Sequence, residues 1–167
     1  MARISDNIIK LMNFRIQQEE LSKRIYLAMS IWLDYNGYSG AAKLWKKYSE
    51  EEQVHVDWAY QYLLDLNIMP TVPDLPSPKN TFTAGLKQIC VESLQHEKEV
   101  SDQCEQLAQA AKDEDDHMTY ELALRYCKEQ VEELDKTQLW VDKINTFGDD
   151  MVQMRLLDQE MGEYAEG

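Results

Sequence analysis

The stretch IMPTVPDLPSPKNT, residues 68–81, contains all four prolines of this 167-residue chain and separates its two halves. Proline lacks a backbone N–H donor and clashes with the preceding helical turn, so no helix continues through this stretch. On both sides of it proline is absent and glycines occur singly, so long helices can form. The alternation of β-branched residues that is typical of strands is also missing. The sequence therefore predicts an all-α fold.

Five helices are predicted around this loop. Their ranges are 5–36, 40–67, 82–112, 116–146 and 150–162, and the loop at 68–81 joins the second helix to the third. Side chains that cap helices stand at the predicted starts: Ser5, Ser39, Thr81 or Thr83, and Asp149 or Asp150. A chain of this length is typical of one domain, so residues 1–167 are predicted to form a single domain.

The length of the loop predicts how the helices are arranged. Its fourteen residues reach at most about 46 Å, which is close to the ~48 Å length of the first predicted helix. The loop can therefore cross the whole bundle, so that the second and third helices run parallel. The short links at 37–39 and 113–115 instead make antiparallel neighbours. The prediction is a four-helix bundle with one long crossover loop and a short fifth C-terminal helix.

An acidic composition restricts the partners of the chain. The 31 Asp and Glu residues outnumber the 17 Lys and Arg residues, which gives a net charge of −14. This balance argues against nucleic acid and anionic membranes, which need a basic surface, and favours metal cations or simple solubility. The sequence contains neither a membrane-spanning apolar run nor a secretion leader. Three cysteines without CxxC spacing fit a reducing compartment, so a cytoplasmic protein is expected.

Each of the four long helices has a glutamate on its apolar side. Residues three, four and seven positions apart share one face of a helix, so the buried side can be identified from the sequence. The glutamates that interrupt these apolar faces are Glu19, Glu52, Glu97 and Glu133. All four lie near the middle of their helices, so we expect them to meet in one layer of the bundle.

Four carboxylates in one apolar layer require compensating charge. A single buried carboxylate can be a neutral acid, but each uncompensated buried charge costs several kcal/mol. Two divalent cations would balance the four carboxylates. His55 follows Glu52 at i+3, and Glu-x-x-His is the spacing found in di-iron carboxylate bundles. Carboxylates with an imidazole and no thiolate suit iron or manganese, and also zinc, so the residues predict a two-metal site.

Five segments of the chain resemble the bacterial non-haem ferritins, over nearly the whole length. They are Gln17-Gln18-Glu19, Glu50–His55, Gln95-His96-Glu97, Glu129–Glu133 and Leu156–Glu160. The resemblance implies a ferritin-like bundle with ferroxidase activity, which oxidises Fe(II) with dioxygen or hydrogen peroxide. It also implies that a homo-oligomeric shell of twenty-four chains stores the iron as a ferric mineral.

The resemblance further implies roles for individual residues. Glu19, Glu52 and His55 would bind one iron, and Glu52 would bridge to a second iron held by Glu97 and Glu133. Gln130 would be a weak ligand or polar neighbour of the second iron. The ligands implied for a third iron are Glu51, Glu129, Glu132 and Glu133. Tyr26 would have a redox or hydrogen-bonding role.

Alternatives remain for the outer residues and for the function. Glu51, Glu129 and Glu132 also fit ordinary solvated helix charges, and Tyr26 fits a core tyrosine with a satisfied hydroxyl. A di-iron oxidase or peroxidase without a cage is a second interpretation of the same residues. An acidic helical interaction protein without catalysis is a third.

Departures from the haem-bearing relatives predict that no haem is bound. Those relatives have a methionine directly after the ligand glutamate of the second helix, where this chain has Gln53. They also repeat Glu-x-x-His on the fourth helix, where this chain has Glu129-Gln130-Val131-Glu132. Just before these residues, Arg125 stands where a bulky aromatic residue is common in bacterial ferritins.

Overall fold

A computed structural model describes residues 4–167 and contains five α-helices, with no strand among these residues. The helices are α1 (Asp6–Tyr35), α2 (Ser39–Asp65), α3 (Gly85–Asp113), α4 (His117–Phe147) and α5 (Met151–Glu166). The predicted all-α fold class is confirmed. The first three residues of the predicted domain, 1–3, lie outside the described residues. None of the described helices is long and apolar enough to cross a membrane.

Two helix starts have the predicted capping side chains. The Oγ atom of Ser5 accepts a hydrogen bond from the backbone N–H of Ile8, 3.1 Å away, at the start of α1. The carboxylate of Asp150 accepts from the backbone N–H groups of Val152 and Gln153 at the start of α5. Both helices therefore begin with a local cap, which satisfies backbone donors that have no partner inside the helix.

The other two predicted caps are wrong. Ser39 is already the first residue of α2, and the carboxylate of Asp158, on α5, accepts from the N–H of Ala41 at 2.8 Å. No threonine caps α3, which begins at Gly85 with a φ of +72°. Glycine adopts this left-handed conformation without steric cost, so the chain turns into α3 without a capping side chain.

The bundle consists of two helix pairs joined by the crossover loop. α1 packs along α2, α3 packs along α4, and α1 also contacts α3. The loop runs beside α1: the N–H of Thr71 donates to Asn13, and Gln17 donates to the carbonyl of Asp74. At its far end Phe82 is buried against Trp32. The contacts of the loop thus advance along α1 from residue 13 to residue 32, as a crossover requires.

The apolar core consists of two clusters separated by a polar layer. One cluster contains the part of α1 from Ile8 to Ile16 and the other contains the part from Tyr26 to Leu33. The remaining long helices show the same division. On α1 the buried residue Glu19 lies between the two clusters, and the corresponding buried polar residues of the other helices are Glu52, His55, Glu97, Gln130 and Glu133. The fold therefore positions these residues at one height.

The C-terminal helix crosses α2 at a pair of glycines. A Cβ atom on Gly40 would lie 1.9 Å from the backbone oxygen of Asp158, and one on Gly162 would lie 3.0 Å from the Cα of Gly40. Only glycine permits such a close approach of two backbones. α5 ends at Glu166, four residues beyond its predicted end.

Candidate metal centre

Two groups of potential ligands lie inside the bundle and share one residue. The first consists of Glu19, Glu52 and His55, and the second consists of Glu52, Glu97 and Glu133. In each group the ligand atoms lie within 4.8 Å of one another, and all five residues are buried. The structure thus brings together the five residues that the sequence places in the layer. Glu52 stands between the two groups, with one carboxylate available to both.

The two ring nitrogens of His55 face different carboxylates. Its Nδ1 atom lies 2.9 Å from Glu52 Oε2 and 3.7 Å from Glu19 Oε2. Its Nε2 atom lies 3.5 Å from Oε1 of Glu129. A histidine that binds a metal through one nitrogen usually donates its other N–H to a carboxylate or carbonyl. His55 therefore presents Nδ1 to the first group, and Glu129 fits the role of its outer partner.

Tyr26 and Gln130 both donate hydrogen bonds to the carboxylate of Glu97. The Tyr26 hydroxyl donates to Oε1, and Nε2 of Gln130 donates to Oε2 at 2.9 Å. Burial, followed by the charge of Glu97, raises the pKa of Tyr26 far above its ordinary value, so the hydroxyl keeps its proton and remains a donor. Both residues therefore lie in the layer, where they hold Glu97 in a fixed orientation.

A buried arginine, which the sequence interpretation missed, contacts the first group. Arg15 is 1% exposed, and its Nε atom lies 3.0 Å from Oε1 of Glu19. Burial alone would raise the pKa of Glu19, but Arg15 and His55 outweigh it and lower the pKa. The signal was present in the sequence, since Arg15 precedes Glu19 by four positions and thus shares its helix face.

A lysine contacts Glu133, which belongs to the second group. The Nζ atom of Lys136 lies 2.8 Å from Oε2 of Glu133 and 3.0 Å from Oε2 of Glu51. It also lies 4.5 Å from the centre of the Tyr48 ring. Its spacing of i+3 from Glu133 was the available signal. The sequence interpretation missed this lysine, because a single charged residue at the edge of a helix face usually points into solvent.

Metal ions are therefore not the only positive charges available to the layer, contrary to the expectation from the sequence. Arg15 and Lys136 supply two fixed charges. Hydrogen bonds that His55 donates to Glu19 and Glu52 outweigh burial and raise the pKa of His55 to about 11. Burial also raises the pKa of Glu133 to about 7, despite the nearby Lys136, and raises that of Glu52 well above its ordinary value. Without metal, the layer is held together by these cations and by retained protons.

The remaining predicted ligands lie at the edge of the layer. Glu129 is half-buried and forms a third potential group with His55 and Glu133. Glu51 pairs with Lys136, and Glu132 is exposed. Within residues 4–167, these outer glutamates and Glu133 do not come together as one group of ligand atoms within 4.8 Å. Arg125 lies one turn before Glu129 on α4, with its Cζ atom 4.0 Å from the centre of the Trp58 ring.

The donor set is suited to two hard cations side by side. It is rich in oxygen, has one imidazole and no thiolate, and has a carboxylate positioned to bridge two ions. Iron, manganese and zinc accept such ligands. Paired metal ions about 3.5–4 Å apart can act together on one small molecule between them. The arrangement is therefore compatible with two divalent ions held side by side.

Comparisons with known proteins found similar sequences and a similar fold. A family model described as the ferritin-like domain matches residues 9–147. A probable bacterial non-heme ferritin-like protein of Haemophilus influenzae is 28% identical over 162 residues, which cover 97% of this chain and 98% of the relative. A bacterial non-heme ferritin of Escherichia coli O6:H1 is 26% identical over 158 residues, 95% of each chain. The solved structure of an open pore ferritin from the archaeon Archaeoglobus fulgidus has a similar fold, with a TM-score of 0.93. The two sequences are 25% identical, and the match covers 97% of this chain and 98% of that one.

Proposed function

Because the chain belongs to the ferritin-like domain family, we propose that it oxidises Fe(II) to Fe(III) in the carboxylate layer and stores the product as a ferric mineral inside a homo-oligomeric cage. The observation that carries this proposal is the pair of ligand groups that share Glu52 in the middle of the bundle. Iron is the substrate and the cargo in this proposal.

In the proposed arrangement each iron has its own ligands and both share one carboxylate. Glu19 and His55 bind the first iron, Glu97 and Glu133 bind the second, and Glu52 bridges them. Carboxylates suit this task because they are hard ligands, which tolerate the change from Fe(II) to Fe(III). They can also bind through one oxygen or two. The charge of the layer supports the assignment, since incoming cations replace the protons that the metal-free site retains.

The proposed reaction is a transfer of two electrons from two irons to one oxidant. Each Fe(II) loses one electron, and dioxygen takes up two electrons and two protons to become hydrogen peroxide. If peroxide is the oxidant, its O–O bond breaks, and two electrons and two protons convert it into two water molecules. Tyr26 and Gln130 act on the protein side, where their hydrogen bonds orient Glu97 toward the second iron.

Storage requires assembly, and the surface of a single chain supports it. Large apolar side chains are exposed along the helices and the loop: Ile31, Tyr35, Met69, Val72, Val131 and Met151. Apolar surface of this kind typically becomes buried when chains associate. We propose a shell of twenty-four chains in the cytoplasm, where Fe(II) is available and the three free cysteines stay reduced.

Iron oxidation and assembly can be tested together. Metal-free protein is loaded anaerobically with two Fe(II) per chain and mixed with air-saturated buffer, and near-ultraviolet absorbance follows Fe(III) formation. We expect a fast phase that Glu52→Gln slows by at least about tenfold. The matched control is Glu132→Gln, which removes the same charge from an exposed position and leaves the fast phase unchanged.

Native mass measurement separates storage from the other interpretations. A large closed assembly supports storage. A stable monomer or dimer with a fast oxidation phase would instead indicate a di-iron oxidase without a cage. Absence of any fast phase at two Fe(II) per chain would contradict ferroxidase activity and favour an interaction protein.

A further inference from the structure

The ammonium group of Lys136 lies between two carboxylates, those of Glu133 and Glu51. Its Nζ atom is 2.9 Å and 2.8 Å from the two oxygens of Glu133 and 3.0 Å from Oε2 of Glu51. The side chain is 17% exposed, whereas that of Glu51 is 42% exposed. The ammonium group therefore lies at the boundary between the buried layer and the surface, and it joins an inner carboxylate to an outer one.

The surroundings of the lysine keep it in this position. The ring of Tyr48 packs against Nζ, and the Tyr48 hydroxyl accepts a hydrogen bond from Trp140 at 2.9 Å. Both aromatic side chains are buried, so their positions are fixed by the core. The ammonium is thus held by two carboxylates and one aromatic face.

A metal ion between the same two carboxylates would compete for the space of the ammonium. Metal–oxygen distances of about 2.0–2.2 Å place an ion within the volume that Nζ now fills. A second positive charge so close would also be repelled by the lysine. Of the other outer carboxylates, Glu129 belongs to a separate potential group with His55 and Glu133, and Glu132 is exposed.

We propose that Lys136 keeps a metal ion out of the space between Glu51 and Glu133, because its ammonium takes the place of a third cation there. This inference rests on the proposed function, since it assumes that Glu52 and its neighbours bind two ions. It replaces the third iron implied by the family resemblance with a side chain of this protein. Glu133 then pairs with Lys136 through both oxygens and also belongs to the ligand group of the second metal.

The test counts metal positions in crystals of the full chain soaked with Zn(II), using anomalous diffraction at the zinc edge. Wild-type protein should show two peaks in the layer and none between Glu51 and Glu133. Lys136→Met, which keeps an unbranched side chain one atom shorter and removes its charge, should add a third peak there. Lys136→Arg keeps a cation and should show two. Lys143→Met is the matched control, one heptad along α4, where Lys143 pairs with Glu160 outside the layer, and should also show two.

The outcomes separate this inference from the proposed function. A zinc ion between Glu51 and Glu133 in wild-type protein, with Lys136 displaced, would overturn the inference. Two peaks only in Lys136→Met would overturn it as well, and Lys136→Gln gives the same decision if the methionine variant fails to fold. Absence of any zinc near Glu52 in wild-type protein would instead contradict the proposed metal layer itself.

Discussion

The Nε atom of Arg15 lies 3.0 Å from Oε1 of Glu19, and both side chains are almost completely buried. Another nitrogen of the guanidinium donates a hydrogen bond to Gln103, which in turn donates to Gln18. An ionised arginine in the core is costly unless it is paired. Its partner here is a proposed iron ligand, so one carboxylate oxygen faces the arginine and the other faces His55. Arg15 thus links the stability of the bundle to the orientation of the metal layer.

Replacing Arg15 with methionine should destabilise the metal-free protein. Removal of one partner of a buried ion pair costs about 3–5 kcal/mol, because the other charge is left uncompensated. We expect a lower melting temperature in the presence of chelator, measured by calorimetry. The double variant Arg15→Met with Glu19→Gln should recover much of the loss, because no lone charge remains. An equal loss in the single and double variants would contradict the pairing.

Replacing Tyr26 with phenylalanine should slow iron oxidation without changing how many ions bind. The variant removes the hydroxyl that donates to Glu97, while Gln130 keeps the other oxygen in place. Loss of one buried donor typically costs about 1–3 kcal/mol of stability. Stopped-flow absorbance would give the oxidation rate, and anaerobic Fe(II) titration would give the number bound.

The control for Tyr26 is Tyr48→Phe on the neighbouring helix. Tyr48 is also buried, and its ring lies 6.2 Å from that of Tyr26, but its hydroxyl contacts Trp140 rather than a carboxylate. We expect this variant to lose stability and keep the oxidation rate. If both variants oxidise iron at the wild-type rate, Tyr26 is only a core tyrosine.

The helices and the layer were predictable from the sequence because they depend on local pattern. The four prolines between residues 70 and 78 predicted the break between the second and third helices. Apolar periodicity predicted that Glu19 and its counterparts interrupt buried helix faces. The inward direction of the Arg15 and Lys136 side chains was not predictable in the same way. A long charged side chain at the margin of a face can extend into solvent or fold inward, and only the packing of a second helix decides which.

The failed cap prediction at Ser39 has the same physical origin. Ser39 carries the right side chain for a cap, but the donor at the start of α2 is satisfied by Asp158, more than a hundred residues later in the chain. Tertiary contacts overrode a local preference at that position. Local preference prevailed at Ser5 and Asp150, where no distant side chain takes over the role of the cap.

Raising the pH should destabilise the metal-free protein. The pKa of Glu133 is raised from 4.5 to about 7 and that of His55 from 6.5 to about 11, so the folded protein binds more protons than the unfolded chain. The contribution of each group to stability is complete below its ordinary pKa and is lost as the pH rises through its raised pKa. We expect the melting temperature in chelator to fall between pH 5 and pH 9.

A matched variant assigns part of this pH dependence to the layer. Glu133→Gln removes one of the titrating groups, so its melting temperature should fall less between pH 5 and pH 7 than that of the wild type. The wild type and the variant should lose stability similarly between pH 7 and pH 9, where His55 still titrates. A melting temperature that does not change with pH in the wild type would show that the layer retains no protons.

Replacing Gly40 with alanine should detach the C-terminal helix from α2. The added Cβ would lie 1.9 Å from the backbone oxygen of Asp158, so α5 must shift. The hydrogen bond that the N–H of Ala41 donates to the Asp158 carboxylate would then be lost. Overpacking of this kind costs about 1–3 kcal/mol or more. Hydrogen exchange should become faster in α5 while α1 and α3 keep their protection.

Gly167→Ala, whose Cβ would meet only ordinary contacts, is the control and should leave exchange unchanged. Because α5 packs chiefly on α2, wild-type protection of α5 in Gly40→Ala would mean that this glycine crossing does not hold the helix in place.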